Sequence, residues 1–254
     1  MTLHFIGLGL NDEKDISVKG LNLVKKADVV YLENYTAVLN CPISYLEKLY
    51  EKKIILADRD MVEKEPEKTI LKDAKDKSVA FLVVGDPFGA TTHMDLLMRA
   101  NKLGIKTQIV HNTSIISAIG VTGLQVYKFG KTTSIPFPEK GFEPETPYDV
   151  IKENQKIGLH TLLLLDLRPK ENRFMTANDA INTLLKIEMR RNEKVFTSNT
   201  PCIGCAKIGS LDQKIKAGKA SELLKYNFGP GMHCLIVPGK MHFAEEEALE
   251  RFKN

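Results

Sequence analysis

The stretch Ala80-Phe81-Leu82-Val83-Val84-Gly85-Asp86-Pro87-Phe88-Gly89-Ala90-Thr91-Thr92-His93 decides the fold. Five apolar residues, three of them β-branched or aromatic, stop at Gly85-Asp86-Pro87, and a helical pattern begins a few residues later. A buried strand running into a glycine-bounded turn ahead of a helix is where α/β proteins hold ligands. The turn carries no Lys, no Cys and no nucleophile beside a base. Gly85, Gly89 and Ala90 are small enough to let a ligand lie against the main chain. The turn is therefore suited to holding a ligand by shape and backbone, not to acid–base chemistry on it.

Upstream of that turn, strand and helix patterns alternate with short connections. Strands are expected at Leu3 to Ile6, Val29 to Leu32, Lys53 to Leu56 and Ser78 to Val84, with Lys106 to Val110 closing the series. Between them, Ser17 caps a helix with Val18, Leu21 and Val24 on one face. Ser44 starts a helix carrying Leu46 and Leu49, and Pro66 one carrying Ile70, Leu71 and Ala74. Thr91 or Thr92 caps a fourth, with Met94, Leu97 and Met98 facing inward and Gly104 ending it. Such alternation implies a parallel sheet covered by helices.

Downstream the rhythm changes. Thr113 to Gly123 is small and apolar, and Pro136, Pro138, Pro144 and Pro147 then interrupt a polar stretch. This reads as a crossing into a second domain, with residues 1–112 forming the first and 113–254 the second. The second holds a buried strand at His160 to Leu167 and an amphipathic helix at Ala177 to Arg191. Further strands are expected at Lys194 to Ser198, Cys205 to Ile208 and His233 to Val237, and a last helix at Phe243 to Phe252. A length of 254 residues suits two α/β domains, at about 150 residues per domain.

Composition narrows the function. The longest apolar runs, Phe81 to Val84 and Leu162 to Leu165, are far too short to span a bilayer. The N-terminus lacks the basic region and cleavage site of a signal peptide, so a cytoplasmic location and no membrane partner are expected. The net charge of +4 is spread over well-mixed acids and bases, which argues against a nucleic-acid partner.

Three motifs invite chemistry that their surroundings do not support. Cys202-Ile203-Gly204-Cys205 has the spacing of a redox or zinc motif. A zinc site needs two more ligands in a similar cluster, and a thioredoxin-like motif belongs after a first strand. Two small residues packing a strand is the better reading, and no metal site is expected. Gly7-Leu8-Gly9, with Glu33 after the second strand, is half of a dinucleotide fingerprint. The third glycine is missing, and Asp12, Glu13 and Asp15 would repel a pyrophosphate. His93 and His111 have no Ser or Cys partner arrangement, and His233 reads as a strand-edge residue. No catalytic residue is assigned.

Taken together, several segments resemble the tetrapyrrole methylase superfamily and, within it, the diphthine synthase branch. They are L-H-F-I-G-L-G-L-N-D-E-K-D-I-S, K-K-A-D-V-V-Y-L-E-N-Y-T, V-V-G-D-P-F-G-A-T-T-H, N-T-S-I-I-S-A-I-G, H-T-L-L-L-L-D-L and G-P-G-M-H-C-L-I-V-P-G, in order along nearly the whole chain. The first loop, Gly9-Leu10-Asn11-Asp12, lacks the glycine- and proline-rich form usual in the superfamily, which disfavours a corrinoid substrate. The resemblance implies two α/β domains, an N-terminal parallel sheet with flanking helices and a second, mixed-sheet domain, with a cofactor cleft between them. It implies S-adenosylmethionine as methyl donor and translation elongation factor 2 as protein substrate. Three methyl groups would go to the amino group of a 3-amino-3-carboxypropyl-modified histidine, giving diphthine. The compact chain is similar to the archaeal type, and a homodimer is implied. Carried over by position, cofactor contacts fall on Leu10, Asp86, Gly89, Ser114, Ile115, Leu165, Ile208 and His233. Water, the substrate's own carboxylate or a cleft side chain would each serve as the base that takes the amine's proton, and His233 is one candidate. A precorrin methylase and a non-catalytic nucleotide-binding regulator are the rival readings.

Overall fold

The computed structural model describes residues 1–139, 141 and 143–253. The chain divides into two units, Met1–Ile116 and Ser117–Asn254, against a sequence boundary at residue 112.

In chain order the first unit holds β1 (Thr2–Gly7), α1 (Val18–Lys26), β2 (Val29–Glu33), α2 (Ile43–Tyr50), β3 (Ile54–Ala57), α3 (Ile70–Asp76), β4 (Ser78–Val83), α4 (Met94–Lys102) and β5 (Lys106–Val110). The strands form one sheet in the order β3-β2-β4-β1-β5, with every pair parallel. Strand residues alternate between two buried faces, as a sheet covered on both sides requires. On one face Ile6, Val30, Leu32, Ala80 and Leu82 pack with Val24 of α1 and Leu46 and Tyr50 of α2. On the other, Leu3, Phe5, Val79, Phe81 and Val83 pack with Ile70, Leu71 and Ala74 of α3 and Leu96 and Ala100 of α4.

Local signals decide some elements and mislead on others. Ser17 caps α1 by accepting from the Gly20 N–H, yet Val18 is exposed and the buried positions are Gly20 and Val24. The α2 cap falls at Pro42, not Ser44. Pro66 begins only a 3₁₀ turn, Pro66–Lys68, and a π turn at Asp60–Lys64 precedes it. In α4 neither threonine is the cap; His93 occupies that position without a side-chain hydrogen bond. The buried face of α4 is Leu96 and Ala100, with Leu97 partly buried against the same core as expected, while Met94 and Met98 are about half exposed.

A short helix, α5 (Ile115–Ala118), spans the division between the units. The second unit contains β6 (Thr133–Ile135), α6 (Thr146–Lys156), β7 (Thr161–Leu165), β8 (Leu167–Arg168), β9 (Arg173–Phe174), α7 (Ala177–Arg191), β10 (Pro201–Ala206), β11 (Lys214–Lys219), α8 (Ala220–Leu223), β12 (His233–Val237) and α9 (Phe243–Glu250). Its main sheet runs β11-β10-β12-β7-β6; only β6 and β7 are parallel, so the sheet is mixed. The α7 stripe Ala177, Ala180, Ile181, Leu184 and Ile187 packs on it with Leu163, Leu235 and Phe196.

The expected strand at Lys194 to Ser198 is absent, for an identifiable reason. The Glu188 carboxylate of α7 accepts the N–H groups of Lys194, Val195 and Phe196 at 2.7, 2.8 and 2.9 Å. Those donors are spent on a side chain and cannot enter a ladder. The strand expected at Cys205 to Ile208 lies earlier, from Pro201 to Ala206, and Ile208 follows it in a turn. Elements β6, α6 and β11 were not foreseen. In β11, Lys-Ile-Lys-Ala-Gly-Lys hides an alternating inner face behind the lysines of an edge strand.

Candidate functional site

In the first unit, β1 connects to a helix on one face of the sheet and its neighbour β4 connects to a helix on the other. The chain therefore parts in opposite directions between these two strands, the arrangement outside whose carboxyl ends α/β sheets hold ligands. Beyond the parallel pairing the two loops stay joined: Leu8 N–H donates to Val83 O at 2.8 Å, and Gly85 N–H to Gly9 O at 2.7 Å.

Gly85 sits at the centre of this junction with φ of +80°, a conformation that disfavours any side chain. A β-carbon there would lie 3.8–3.9 Å from Thr113 O, Leu10 Cδ2 and Ser114 Cα, so these three segments ring one small space. Gly89 is tighter still: its β-carbon would come within 2.7 Å of Ser114 Oγ. Leu10, Gly85, Gly89 and Ser114 are thereby brought together, with Ile115 next in the chain at the start of α5.

Asp86 organises the rim. Its Oδ1 accepts from Phe88 N–H at 2.9 Å; its Oδ2 accepts from Asn112 N–H at 3.1 Å and lies 2.8 Å from His111 Nδ1. Partial burial pushes its carboxyl up, but the Phe88 N–H, His111 and the Asn112 N–H outweigh that and hold it below the ordinary range. Behind the turn, Pro87 O accepts from Thr91 Oγ1 at 2.6 Å and from Nδ1 of buried His93 at 3.0 Å, which fixes the path from turn to helix.

Sequence reasoning missed Asn112 and the role of Asp15. Asn112 Nδ2 donates to Gly7 O and to Asp15 O, both at 3.0 Å, pinning β1 to the segment after β5. The Asp15 carboxylate accepts the N–H groups of Leu10 (3.2 Å) and Asn11 (2.8 Å). The amides that would cradle a phosphate in the first loop are thus already occupied. A signal for Asp15 was present, since an Asp a few residues beyond a Gly-x-Gly turn can cap the amides that follow it. Partners more than 90 residues apart, such as Asn112 and Gly7, leave no such trace.

In the second unit, Leu165 and His233 lie at one end of the sheet. Leu165 ends β7 beside Ile135, and His233 begins β12 opposite Ala206 at the end of β10. Ile208 follows two residues after Ala206, beyond the Lys207 N–H to Met232 O bond of 2.9 Å. Both His233 ring nitrogens are committed: Nδ1 accepts from Ala177 N–H at 3.1 Å, so Nε2 carries the hydrogen and donates to Gly229 O at 3.0 Å. Burial pushes its pKa down, beyond what the Gly229 carbonyl restores. His233 is a neutral structural imidazole with no nitrogen left to act as a base.

The cysteine motif lies inside β10, where residues three apart point to opposite faces. Cys202 faces the core around α7, and its burial pushes the thiol up to about 12. Cys205 instead hydrogen-bonds Cys234 across the sheet. The four cysteines are free, and among the described residues no group of three or more His, Cys, Asp or Glu is placed to hold a metal.

Comparison with known proteins places this geometry. Residues 2–224 match the family of Tetrapyrrole (Corrin/Porphyrin) Methylases. A diphthine synthase of Methanococcus aeolicus is 51% identical over 245 residues, 96% of this chain and 95% of the relative. A diphthine methyl ester synthase of Dictyostelium discoideum is 47% identical over 270 aligned positions, 100% of this chain and 98% of the relative. A solved structure of a diphthine synthase superposes with a TM-score of 0.91 at 38% identity, covering 100% of this chain and 96% of that one. Relatives matched end to end carry diphthine names, which disfavours the precorrin and regulator readings. A parallel sheet whose β1 and β4 loops meet Ser114, in a chain that also carries a mixed sheet, is thus the framework of a methyltransferase, and the chain belongs to the tetrapyrrole methylase family on its diphthine synthase branch.

Proposed function

We propose that the chain uses S-adenosylmethionine to methylate the amino group of the 3-amino-3-carboxypropyl histidine of translation elongation factor 2. Three transfers give diphthine, and the enzyme acts as a homodimer. The observation that carries the reading is the ring of Leu10, Gly85, Gly89 and Ser114. It brings backbone of three segments together where only glycine fits: a β-carbon on Gly89 would clash with Ser114, and one on Gly85 would rest against Thr113 O, Leu10 Cδ2 and Ser114 Cα. That donor set fits a ligand held largely by main-chain contacts, with the ionised Asp86 carboxylate at the rim favouring a cationic one. Leu10, Asp86, Gly89, Ser114 and Ile115 are the proposed cofactor contacts of the first unit. Leu165, Ile208 and His233 are those of the second, by family resemblance.

When bound, S-adenosylmethionine supplies a methyl group on a sulfonium sulfur, whose departure needs no acid. The chain's task is then to align and to keep water out. Alignment in a near-attack geometry is worth up to ~7–11 kcal/mol of barrier. Asp86 keeps the turn rigid through its three contacts, and His93 keeps the following backbone in place through Pro87 O. With both His233 nitrogens committed, the amine's proton passes to water, to the substrate's own carboxylate or to another side chain of the site before transfer.

The Dictyostelium relative favours a second reading, in which a fourth methyl group goes to the carboxylate. Its alignment of 270 positions exceeds the 254 residues here, so that relative carries insertions this chain lacks. The deciding experiment supplies labelled S-adenosylmethionine and elongation factor 2 bearing the modified histidine, with mass spectrometry of the product. Three methyl groups on that residue are expected, four select the ester synthase, and none, with turnover of a precorrin, removes the proposal.

A further inference from the structure

Strands β8 and β9 set Arg168 directly opposite Arg173. Like charges opposed across an antiparallel pair are destabilising. The hairpin nevertheless holds both guanidinium groups over one ring, that of Phe137, with Arg173 at 3.9 Å and Arg168 at 5.5 Å from the centroid. Phe137 is buried, and a single residue ties platform and hairpin together. Asp166 accepts from Phe137 N–H (Oδ2, 2.9 Å) and from Leu167 N–H (Oδ1, 2.9 Å), and its backbone carbonyl accepts from Met175 N–H at 3.0 Å. Asp166 is the residue immediately after Leu165, so the hairpin grows from the end of β7.

The two arginines are not equivalent. Arg168 pairs with Glu139 and lies 3.7 Å from Glu171, which offset its charge. Arg173 is exposed, and among the described residues it has a ring contact but no carboxylate partner. Stacking fixes the plane of a guanidinium while leaving its fork of N–H donors unspent, the arrangement suited to bidentate recognition of a carboxylate. A bound carboxylate would also relieve the repulsion between the paired arginines. Glu139 and Glu171 offset Arg168 alone, so the compensation of this local conflict is incomplete at Arg173, and such conflicts mark functional positions.

We propose that Arg173, stacked on Phe137 beside Arg168, binds the carboxylate of the acceptor side chain and so positions its amine for transfer. This rests on the function proposed above. The acceptor carries its amine and carboxylate on one carbon, so anchoring the carboxylate restricts where the amine can lie.

The test measures KM and kcat for modified elongation factor 2 with the full chain, its Arg173→Gln and Arg173→Lys variants, and Lys225→Gln as a remote exposed-charge control. Cofactor affinity is followed by calorimetry, and unmodified elongation factor 2 serves as competitor. Loss of a charge-assisted contact predicts a KM raised about tenfold or more in Arg173→Gln. Arg173→Lys should fall between, and Lys225→Gln should match wild type. Cofactor affinity and the inhibition constant of the unmodified competitor should not move. An unchanged KM overturns the proposal, as does a parallel weakening of the unmodified competitor, which would place Arg173 against the protein surface instead. Absence of transfer by the wild-type chain is a different failure, since it removes the functional reading itself.

Discussion

Gly89 has no room for a β-carbon. One placed there would meet Ser114 Oγ at 2.7 Å and Ser114 Cβ at 2.8 Å. The hydroxyl can rotate away; the Cβ moves only with its backbone. Gly89→Ala should therefore push apart two of the proposed cofactor segments and weaken S-adenosylmethionine binding about tenfold, while the thermal midpoint stays within a few degrees. Titration calorimetry and a melting curve check both halves, and wild-type affinity in the variant would remove Gly89 from the pocket. Asp86→Ala should also weaken binding, by freeing the Phe88 and Asn112 amides that hold the turn. The need for small residues at Gly85 and Gly89 was legible from the sequence, because an apolar run that stops at glycine marks a strand end where the backbone must turn sharply. The commitment of both His233 nitrogens was not, since Ala177 lies 56 residues away.

Helix α7 shows how one element organises its neighbours. Thr176 and Asp179 form a capping box at its start, with Thr176 Oγ1 accepting from Asp179 N–H at 3.1 Å and Asp179 Oδ2 accepting from Thr176 N–H at 2.9 Å. Thr176→Ala should cost about 1 kcal/mol of stability. Near the other end, Glu188 serves a different purpose, accepting three backbone N–H groups and the Tyr148 hydroxyl at 2.7 Å. Glu188→Ala leaves these donors to find water or go unmet, and should cost more, about 2–3 kcal/mol. Urea unfolding of the two variants tests the ranking; equal losses would mean that water replaces Glu188 at the segment after α7. Both ends of α7 were legible, because its apolar stripe is long and its caps are explicit. The segment that Glu188 holds was misread as a strand, since its composition suits a strand and nothing local reveals a distant carboxylate consuming its donors. Helix α4 failed differently: Met94 and Met98, apolar at helical spacing, lie on its exposed side, while Leu96 and Ala100 face the core.

Across both units, burial and charge pairing together set how the molecule responds to acid. Four of its six histidines, His4, His93, His160 and His233, are buried, and desolvation pushes each below its ordinary pKa. Burial outweighs hydrogen bonds that favour the charged form: at His160, Nδ1 accepts from Gly239 N–H at 2.9 Å and Nε2 faces Glu245 Oε1 at 3.0 Å, and the Glu245 carboxylate only partly restores what burial takes away. Below about pH 6.5 the unfolded chain binds protons at these positions and the folded one does not, so stability falls as pH drops. Glu245 acts in a second window. Burial pushes its carboxyl up, but Lys128, the N–H groups of Gln125 and His242, and His160 together bring it down to about 2. Its contribution is complete above the ordinary glutamate range and is lost as pH falls from about 4.5 towards 2. Glu33 acts the other way at higher pH: burial raises its carboxyl despite bonds from Thr36 and Tyr35, so the folded chain takes up a proton above the ordinary glutamate range and offsets part of the histidine loss. The urea midpoint should therefore decline in two stages, first between about pH 6.5 and 5 and then more steeply below about 4.5. Glu245→Gln should flatten the second stage and leave the first in place. A midpoint constant from pH 7 to 5 would mean that the histidines titrate alike in both states, and that their burial does not govern the molecule's acid stability.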